Sequence, residues 1–436
     1  MANCPISETP VNHELNNTQA LAPYFETESG GSDGDLPERP IYRSVPAGVS
    51  ANRHLAQGRD ELVAARAQGA RIWDVANREY VDYLCGLGTV LLGHANPNVN
   101  AAVSAQLELG VQMAATHYRE IQLADELCAA MPGMDAVRFH NNSNAAIQTA
   151  LRVARIATSR ELIVRFAGHQ HGNQTLGTAV VLPWNDADAL RSTFAELGSS
   201  IAAIIVEPAM AGRGGFEPAS GFLSLVRQLC SAQQAVFILN ESVTGLRIDF
   251  QGAIGKYLLT GDLGPDLVIC GEALGNGVPI GALAGRAKLM ELLVSNAVDH
   301  AGTFHGNGIG IAAGLAVLSR LRLAGQRIYQ SMNTRGRTLM TELERLGHEA
   351  GVSVVARGPG PMFWVDLAAH PMGIPATDAP FIEHPRYMQF RHAMLARGVR
   401  LLPGGAWYLC SEHTDADIRF TLEMAQSALR EIGAAS

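Results

Sequence analysis

Short apolar runs alternate with helical periods through the middle of the chain, and this pattern predicts its architecture. The apolar runs predict buried strands over Ala136–His140, Glu161–Phe166, Ile201–Val206, Ala235–Leu239 and Leu267–Cys270. Periodic apolar positions between them predict helices over Asn144–Ala157, Ala187–Leu197 and Phe222–Gln233. Because crossover helices join parallel strands, this order predicts an α/β fold with a mostly parallel central sheet and helices on both faces.

The two flanks of this region carry different patterns. Arg71–Val75 and Tyr80–Tyr83 flank a polar turn and predict a β-hairpin, and Asn96 before Pro97 predicts a helix start. The C-terminal elements are predicted over Ile309–Leu323, Val352–Val355, Met362–Val365 and Arg386–Arg397. This flank therefore predicts a smaller α+β domain beside the large one.

These patterns divide the chain into four parts. We expect a polar N-terminal arm over 1–44, the N-terminal part of the small domain over 45–110, a large cofactor-type domain over 111–320 and a C-terminal small domain over 321–436. The arm is polar and rich in Gly and Ser, which predicts a flexible or loosely docked segment. An arm laid over a partner subunit's active site is the alternative.

Composition excludes several classes of partner. The 436 residues carry a net charge of −8 without clusters of Lys and Arg, so no nucleic-acid partner is expected. No long uncharged apolar run and no basic-then-apolar start is present, so we expect no membrane partner and no signal peptide. The six cysteines lack CxxC spacing, which is typical of reduced thiols in a cytoplasmic chain.

Polar residues that could bind a ligand or take part in catalysis follow the ends of three predicted strands. Glu272 comes just after Leu267–Cys270, and Asn240 and Glu241 follow the strand before it. Ligands gather at such carboxyl ends in α/β folds. The run 142–144 opens a helix, whose unpaired N–H groups suit an anion, although helix capping by Ser143 explains the same residue types.

Several stretches, in order, resemble the class III (fold type I) pyridoxal phosphate (PLP)-dependent aminotransferases, and in particular their glutamate-1-semialdehyde aminomutase branch. They are Ile72–Val75, Leu92–Pro97, Val137–Phe139, His171–Gly172, Glu207–Pro208, Val243–Arg247, Gly271–Ala282 and Gly302–Phe304. The resemblance implies the aminotransferase fold, a small-molecule substrate and a homodimer with shared active sites.

Working positions of that family are altered here. Glu272 stands where the family has its Schiff-base lysine, and a carboxylate cannot form an imine, although it can move protons. Asn240 replaces the aspartate that pairs with the pyridinium nitrogen, and Gln170 stands where an aromatic residue stacks on the ring. The family's phosphate loop corresponds to Asn142, Ser143 and Asn144. Thr303 matches the threonine that reaches the phosphate from the partner subunit.

These departures predict a repurposed enzyme without an internal aldimine. We expect a PLP-independent acid/base enzyme, such as an isomerase, dehydratase, cyclase or condensing enzyme acting on a small amino or carboxylate metabolite. Glu272 is the predicted principal acid or base, with His171 or Glu241 as its counterpart. Polar residues expected near the same cleft, the first three of them at the substrate, are Glu207, Arg247, His305, Tyr118 and His140.

Other interpretations stay open at this point. They are an inactive pseudo-aminotransferase that serves as a scaffold or regulatory partner, a lysine-free enzyme that binds PLP or pyridoxamine phosphate (PMP) non-covalently, and a true aminotransferase that uses Lys256 or Lys288. His169 and His171 form a His-Xaa-His pair with the spacing of two metal ligands. Ordinary hydrogen bonds explain the pair better, and no metal is expected.

Overall fold

The structure is a computed structural model that describes residues 62–172, 176–368, 373–377 and 383–434. The predicted N-terminal arm lies outside the described residues, and the four-part division remains a prediction. Within the described ranges, no single helix has the length and apolarity needed to cross a membrane, and one pair bent by 85°, Gly308–Ala324 with Gln326–Glu349, meets the test only jointly.

The N-terminal flank folds as its pattern predicts. Strands β1 (Ala64–Gln68), β2 (Arg71–Asp74) and β3 (Glu79–Asp82) form antiparallel pairs. Helix α1 (Pro97–Leu109) begins at Asn96, whose side chain accepts hydrogen bonds from the N–H groups of residues 98 and 99. The predicted hairpin and the predicted helix start are therefore confirmed. Helix α2 (Tyr118–Ala130) follows.

A seven-stranded sheet forms the centre of the fold. Its strands are β4 (Ala136–His140), β5 (Leu162–Phe166), β6 (Ala179–Leu182), β7 (Ile201–Val206), β8 (Val236–Glu241), β9 (Leu267–Cys270) and β10 (Gly281–Gly285). They lie in the order β4-β10-β9-β8-β7-β5-β6, and β10 alone runs against its neighbours. The predicted α/β class is confirmed, while β6 and β10 are strands that the apolar pattern did not predict.

Helices cover both faces of this sheet. They are α3 (Ser143–Thr158), α4 (Ala187–Leu197), α5 (Phe222–Gln233), the short α6 (Gly252–Lys256) and α7 (Ala287–Val294). All six residues of β7 are buried, with Ile204 in the core on one face and Ile205 in the core on the other, under α3. A strand covered on both faces must be apolar throughout, which explains the continuous apolar runs.

The C-terminal part joins the N-terminal flank through a strand pair. Its elements are α8 (Gly308–Ala324), α9 (Gln326–Glu349), β11 (Val355–Arg357), β12 (Met362–Asp366), α10 (Pro385–Ala396), β13 (Val399–Arg400), β14 (Ala406–Tyr408) and α11 (Asp415–Ala434). Strand β13 pairs in parallel with β3, while β11, β12 and β14 form a separate antiparallel sheet. Thr414 and Asp417 cap the start of α11, because each accepts a hydrogen bond from the backbone N–H of the other.

The segments that follow β8 and β9 lie in direct backbone contact. A Cβ atom placed on Gly271 would lie 1.7 Å from the carbonyl oxygen of Ser242, and the backbone of Gly271 is not in the left-handed region. The contact therefore requires the absence of a side chain rather than unusual dihedral angles. It fixes the position from which the next residue, Glu272, projects.

We expect Gly271→Ala to lower the free energy of unfolding by about 3 kcal/mol, because the backbone of one segment must move away from the other. The measurement is urea unfolding followed by circular dichroism. Gly373→Ala is the matched control, since its added Cβ meets no atom within 4 Å. Equal midpoints for the two variants would contradict the close contact.

Glu241 ends β8 inside the protein. Its Oε2 accepts hydrogen bonds from the Thr244 hydroxyl at 3.1 Å and from the Ala253 N–H at 2.7 Å. Burial raises the pKa of this carboxyl to about 7. Between its ordinary pKa and about 7, the folded protein keeps a proton that the unfolded chain releases, so stability falls as pH rises through this window.

Glu241→Gln should remove this pH dependence, because the amide keeps an oxygen for both hydrogen bonds and carries no charge. We expect the variant to gain up to about 3 kcal/mol over the unsubstituted protein between about pH 5 and about pH 8. Urea unfolding at a series of pH values measures the gap. A gap that does not widen with pH would show that Glu241 is ionised in the fold throughout.

Candidate active site

Glu272 lies in a short helical turn after β9 and reaches the first residue of α3. Its Oε1 accepts a hydrogen bond from the Ser143 hydroxyl at 2.9 Å and a longer one from the Ser143 N–H at 3.4 Å. The first N–H groups of a helix have no partner within it and carry the positive end of its dipole. The carboxylate of Glu272 therefore accepts hydrogen bonds at the start of α3 and balances the partial positive charge of the helix dipole there.

We call the hydroxyl of Ser143 and the N–H groups of Ser143 and Asn144 the anion cradle. Asn142 caps the same turn, with its side chain accepting from the N–H of residue 145. Strand β10 closes one side, because Gly281 approaches the backbone of Asn142 so closely that a Cβ atom there would lie 2.5 Å from its carbonyl carbon. The predicted anion-binding residues therefore form one polar helix start.

Asn240 holds the loop after β5 against the end of β8. Its Nδ2 donates to the carbonyl oxygen of Gln170 at 2.9 Å and lies 2.9 Å from Nδ1 of His171. Its Oδ1 accepts from the N–H and the hydroxyl of Ser242. The amide is buried, and both of its ends are engaged by protein groups.

The same loop is tied to β7 through Glu207. The Glu207 N–H donates to Nδ1 of His169 at 3.0 Å, and the Gln170 N–H donates to Glu207 Oε2 at 3.1 Å. Burial, followed by the nearby His171, holds the pKa of His169 well below its usual range, so this imidazole is neutral. Both histidines of the His-Xaa-His pair thus have Nδ1 in a hydrogen bond that positions the loop.

Two predicted site residues make contacts that hold the fold together. Arg247 is fully buried and donates to the carbonyl oxygens of Gly88 and Leu409, which lie in the N-terminal and C-terminal flanks. Glu241 binds the Thr244 hydroxyl and the start of α6, as described above. The predicted roles of Arg247 toward a substrate and of Glu241 as an acid or base stay predictions.

Three histidines, which we call the imidazole cluster, lie beside the start of α3. The ring centroids of His140, His300 and His305 are 4.6 to 4.9 Å apart, and Nε2 of His140 lies 3.0 Å from Nε2 of His300. Burial lowers the pKa of His140 to about 3 and that of His300 to about 4. The cluster is therefore uncharged near neutral pH, and His300 is a member that sequence reasoning missed.

The remaining predicted residues lie on the surface near this cluster. Thr303 is exposed, and its carbonyl oxygen accepts from Gln112. Tyr118, which begins α2, is 63% exposed. A cleft of ≈ 400 Å³ is lined by residues 111–115, together with His117, Glu120, Gly302, Thr303, His305, Gly306 and Gly308.

The described residues fit the phosphate of a PLP-type cofactor better than they fit its protonated ring nitrogen. The anion cradle already binds an anionic oxygen, which is what a phosphate requires. A protonated ring nitrogen needs an anionic partner, whereas Asn240 is neutral and both ends of its amide are engaged. The site therefore offers a phosphate position but no partner for the pyridinium charge.

Comparisons with known proteins place the chain in a family. The aminotransferase class-III family model matches residues 54–185 and 183–411. The chain is 34% identical to glutamate-1-semialdehyde 2,1-aminomutase of Thermomicrobium roseum, covering 93% of this chain and 99% of the relative. It is 35% identical to the protein of the same name from Bordetella avium, covering 88% and 96%.

Solved structures agree on the fold. An omega-transaminase from Sphaerobacter thermophilus superposes with a TM-score of 0.82 at 26% identity, covering 89% of this chain and 95% of that one. A lysine-to-alanine variant of glutamate-1-semialdehyde aminomutase from Pseudomonas aeruginosa PAO1, in complex with PMP, superposes with a TM-score of 0.79 at 21% identity, covering 89% and 92%.

These findings correct one prediction from the sequence. A PLP-independent acid/base enzyme is contradicted, because the sequence relatives are named glutamate-1-semialdehyde 2,1-aminomutase and the structural neighbours include a transaminase with PLP bound and an aminomutase variant in complex with PMP. The prediction failed because it treated altered contacts with the cofactor as the loss of the cofactor. The predicted resemblance and fold are confirmed, and the chain belongs to the class III aminotransferase family.

Proposed function

We propose that this chain binds PLP or its amine form, PMP, without a covalent bond and acts on the amino group of a small carboxylate-bearing compound. The anion cradle carries this proposal, since its two Ser143 donors bind the carboxylate of Glu272 at the helix start that matches the family's phosphate loop. A carboxylate oxygen and a phosphate oxygen make the same demand on helix N–H groups. Glu272 is thus a stand-in for the phosphate.

Each residue of the proposed site would have a separate role. Ser143 and Asn144 would hold the phosphate through backbone N–H groups, and the Ser143 hydroxyl would add a further donor. Glu272 would give up its place at the cradle, and its carboxylate would then hold or move a proton near the amino group. The cofactor itself supplies an electron sink for chemistry at the amino-bearing carbon.

Absence of a lysine at the position that we assign to Glu272 supports the non-covalent mode, because a carboxylate cannot form an imine with the aldehyde. The amine form needs no such bond. The Pseudomonas aeruginosa relative named above was determined as a lysine-to-alanine variant with PMP. The sequence relatives are named for glutamate 1-semialdehyde, which points to an amino compound of that size.

Glu272→Ala should bind PMP about tenfold more tightly than the unsubstituted protein, because it removes a carboxylate that competes for the same donors. Isothermal titration calorimetry with PMP measures the change. Glu291→Ala, an exposed glutamate on α7, is the matched control and should leave the affinity unchanged.

Borohydride treatment of the PLP-loaded protein separates the two binding modes. Non-covalent binding predicts that cofactor is removed by dialysis after reduction and that mass spectrometry finds no adduct on the chain. A reduced adduct on a lysine would overturn the non-covalent mode. If neither the unsubstituted protein nor the Glu272→Ala variant binds PMP, the proposal itself is wrong. Product analysis with glutamate 1-semialdehyde then tests the substrate class.

We also propose that the chain is a homodimer with active sites shared between the subunits. Exposed apolar side chains lie on the segments that line the ≈ 400 Å³ cleft or close to them in sequence, and we call them the apolar patch: Leu107, Leu109, Val111, Met113, Tyr118, Ile121 and Phe304. Large exposed apolar patches mark interaction sites. Thr303 adjoins Phe304, so a partner that covers the patch also reaches the position from which the family's threonine contacts the cofactor.

A double variant, Met113→Glu with Phe304→Glu, should convert the dimer to a monomer, because each interface would bury charges without partners. Sedimentation velocity at micromolar concentration measures the mass. Val294→Glu, on an exposed position of α7, controls for the added charge and should remain dimeric. A monomeric unsubstituted protein would contradict the proposal.

A further inference from the structure

Three potential metal ligands meet in the interior, away from Glu272 and the anion cradle. Cys85 follows β3, Cys410 follows β14 and His413 precedes α11, and each is only 1% exposed. The two sulfur atoms and one imidazole nitrogen all lie within 4.8 Å of one another. We call this group the thiol cluster. It brings together chain segments more than three hundred residues apart, and nothing in the site described above uses it.

The distances suit a tetrahedral zinc ion. Nδ1 of His413 lies 3.3 Å from Sγ of Cys410. Zinc bound at about 2.3 Å to sulfur and about 2.0 Å to nitrogen holds those two ligand atoms about 3.5 Å apart and two sulfur atoms about 3.8 Å apart. The Cys410 N–H donates to the same Nδ1 at 3.1 Å, so this nitrogen is unprotonated, and zinc would take its lone pair in place of that hydrogen bond.

Cys85 is held in an unusual conformation that directs its sulfur into the cluster. Its φ of +45° is uncommon for a residue with a side chain. The carboxylate of Asp82 stabilises this turn by accepting the N–H groups of Leu84 and Cys85, each at 3.1 Å. Such strain persists where the surroundings over-determine it, often at functional sites.

A fourth ligand is available from the backbone. The carbonyl oxygens of Asp82 and Tyr408 lie 3.2 and 3.4 Å from Sγ of Cys85. An oxygen and a sulfur on the same zinc ion lie about 3.6 Å apart, which is close to the separation of either carbonyl oxygen from Sγ of Cys85. The cluster therefore has the closed surroundings of a structural site rather than the open position of a catalytic one.

The electrostatics of the cluster also favour a cation that takes thiolates. The thiolate is the form that binds metals. Two thiolates cancel the charge of a divalent ion, so the occupied site adds no net charge to the interior.

We propose that Cys85, Cys410 and His413 bind a structural zinc ion, which fastens the β3 segment of the four-stranded sheet to the β14 segment of the C-terminal sheet. This site is independent of the proposed cofactor and would persist if that proposal failed. The alternatives are three buried residues that pack without a metal and a disulfide between the two cysteines. Each gives a different result in the measurements below.

The first test uses the full-length protein without substitutions. Protein purified from zinc-supplemented cells and dialysed should hold about one zinc ion per chain by inductively coupled plasma mass spectrometry. Exchange with Co²⁺ should produce a near-ultraviolet thiolate-to-cobalt charge-transfer band and the strong visible bands of tetrahedral cobalt. Protein that lacks zinc and shows no such band overturns the proposal, whether its two thiols are free or joined, as thiol titration would then report.

Substitutions assign the ligands. Cys410→Ser and His413→Gln should each lose the zinc and the charge-transfer band. Cys230→Ser, which alters a fully buried cysteine outside the cluster, is the matched control and should retain both. If the control loses zinc to the same extent, or if Cys410→Ser stays folded with its zinc, the assignment is wrong. Removal of zinc by a chelator should lower the melting temperature of the unsubstituted protein and leave that of folded Cys410→Ser unchanged.

Discussion

The contact between the start of α3 and the carboxylate of Glu272 determines how the centre of this protein is arranged. Helix α3 begins directly after β4, so its unpaired N–H groups lie at the carboxyl ends of the central strands. A positive helix end at that edge needs an anion. Glu272 supplies one from β9, and Gly281 allows β10 to pass close behind the same turn. Three neighbouring elements are thereby fixed around one charge interaction.

Much of the fold follows from the sequence, and the exceptions have physical reasons. Strand β7 could be predicted from the sequence because a strand buried on both faces is apolar at every position. Strand β10 reads Gly-Ala-Leu-Ala-Gly and escapes the pattern, since its small residues are selected by the close approach to α3 and not by hydrophobicity. A pattern of apolar residues along the chain does not show where two backbone segments must lie in close contact.

The candidate site likewise contains residues whose positions could be predicted from the sequence and residues whose positions could not. The polar start of α3 and the position of Glu272 were predictable, because both lie at strand ends that the pattern reveals. The burial of Arg247 was not, because its partners are carbonyl groups of Gly88 and Leu409, far away in sequence. His300 was missed for a related reason. Its neighbour His140 ends β4, and only the folded loop before α8 brings the two rings together.

The altered cofactor contacts share one electrostatic character. Asn240 is neutral, and burial keeps the imidazoles of His140, His169 and His300 uncharged as well. Glu272 is the acidic side chain that contacts the anion cradle. Its carboxylate and a cofactor phosphate would compete for the same donors, so the proposed phosphate binding would release Glu272. Linkage would make this effect reciprocal: a change that holds Glu272 away from Ser143 would strengthen anion binding, and a bound anion would free the carboxylate for proton transfer. In the proposed enzyme, the carboxylate would therefore be available as a base only with the phosphate bound.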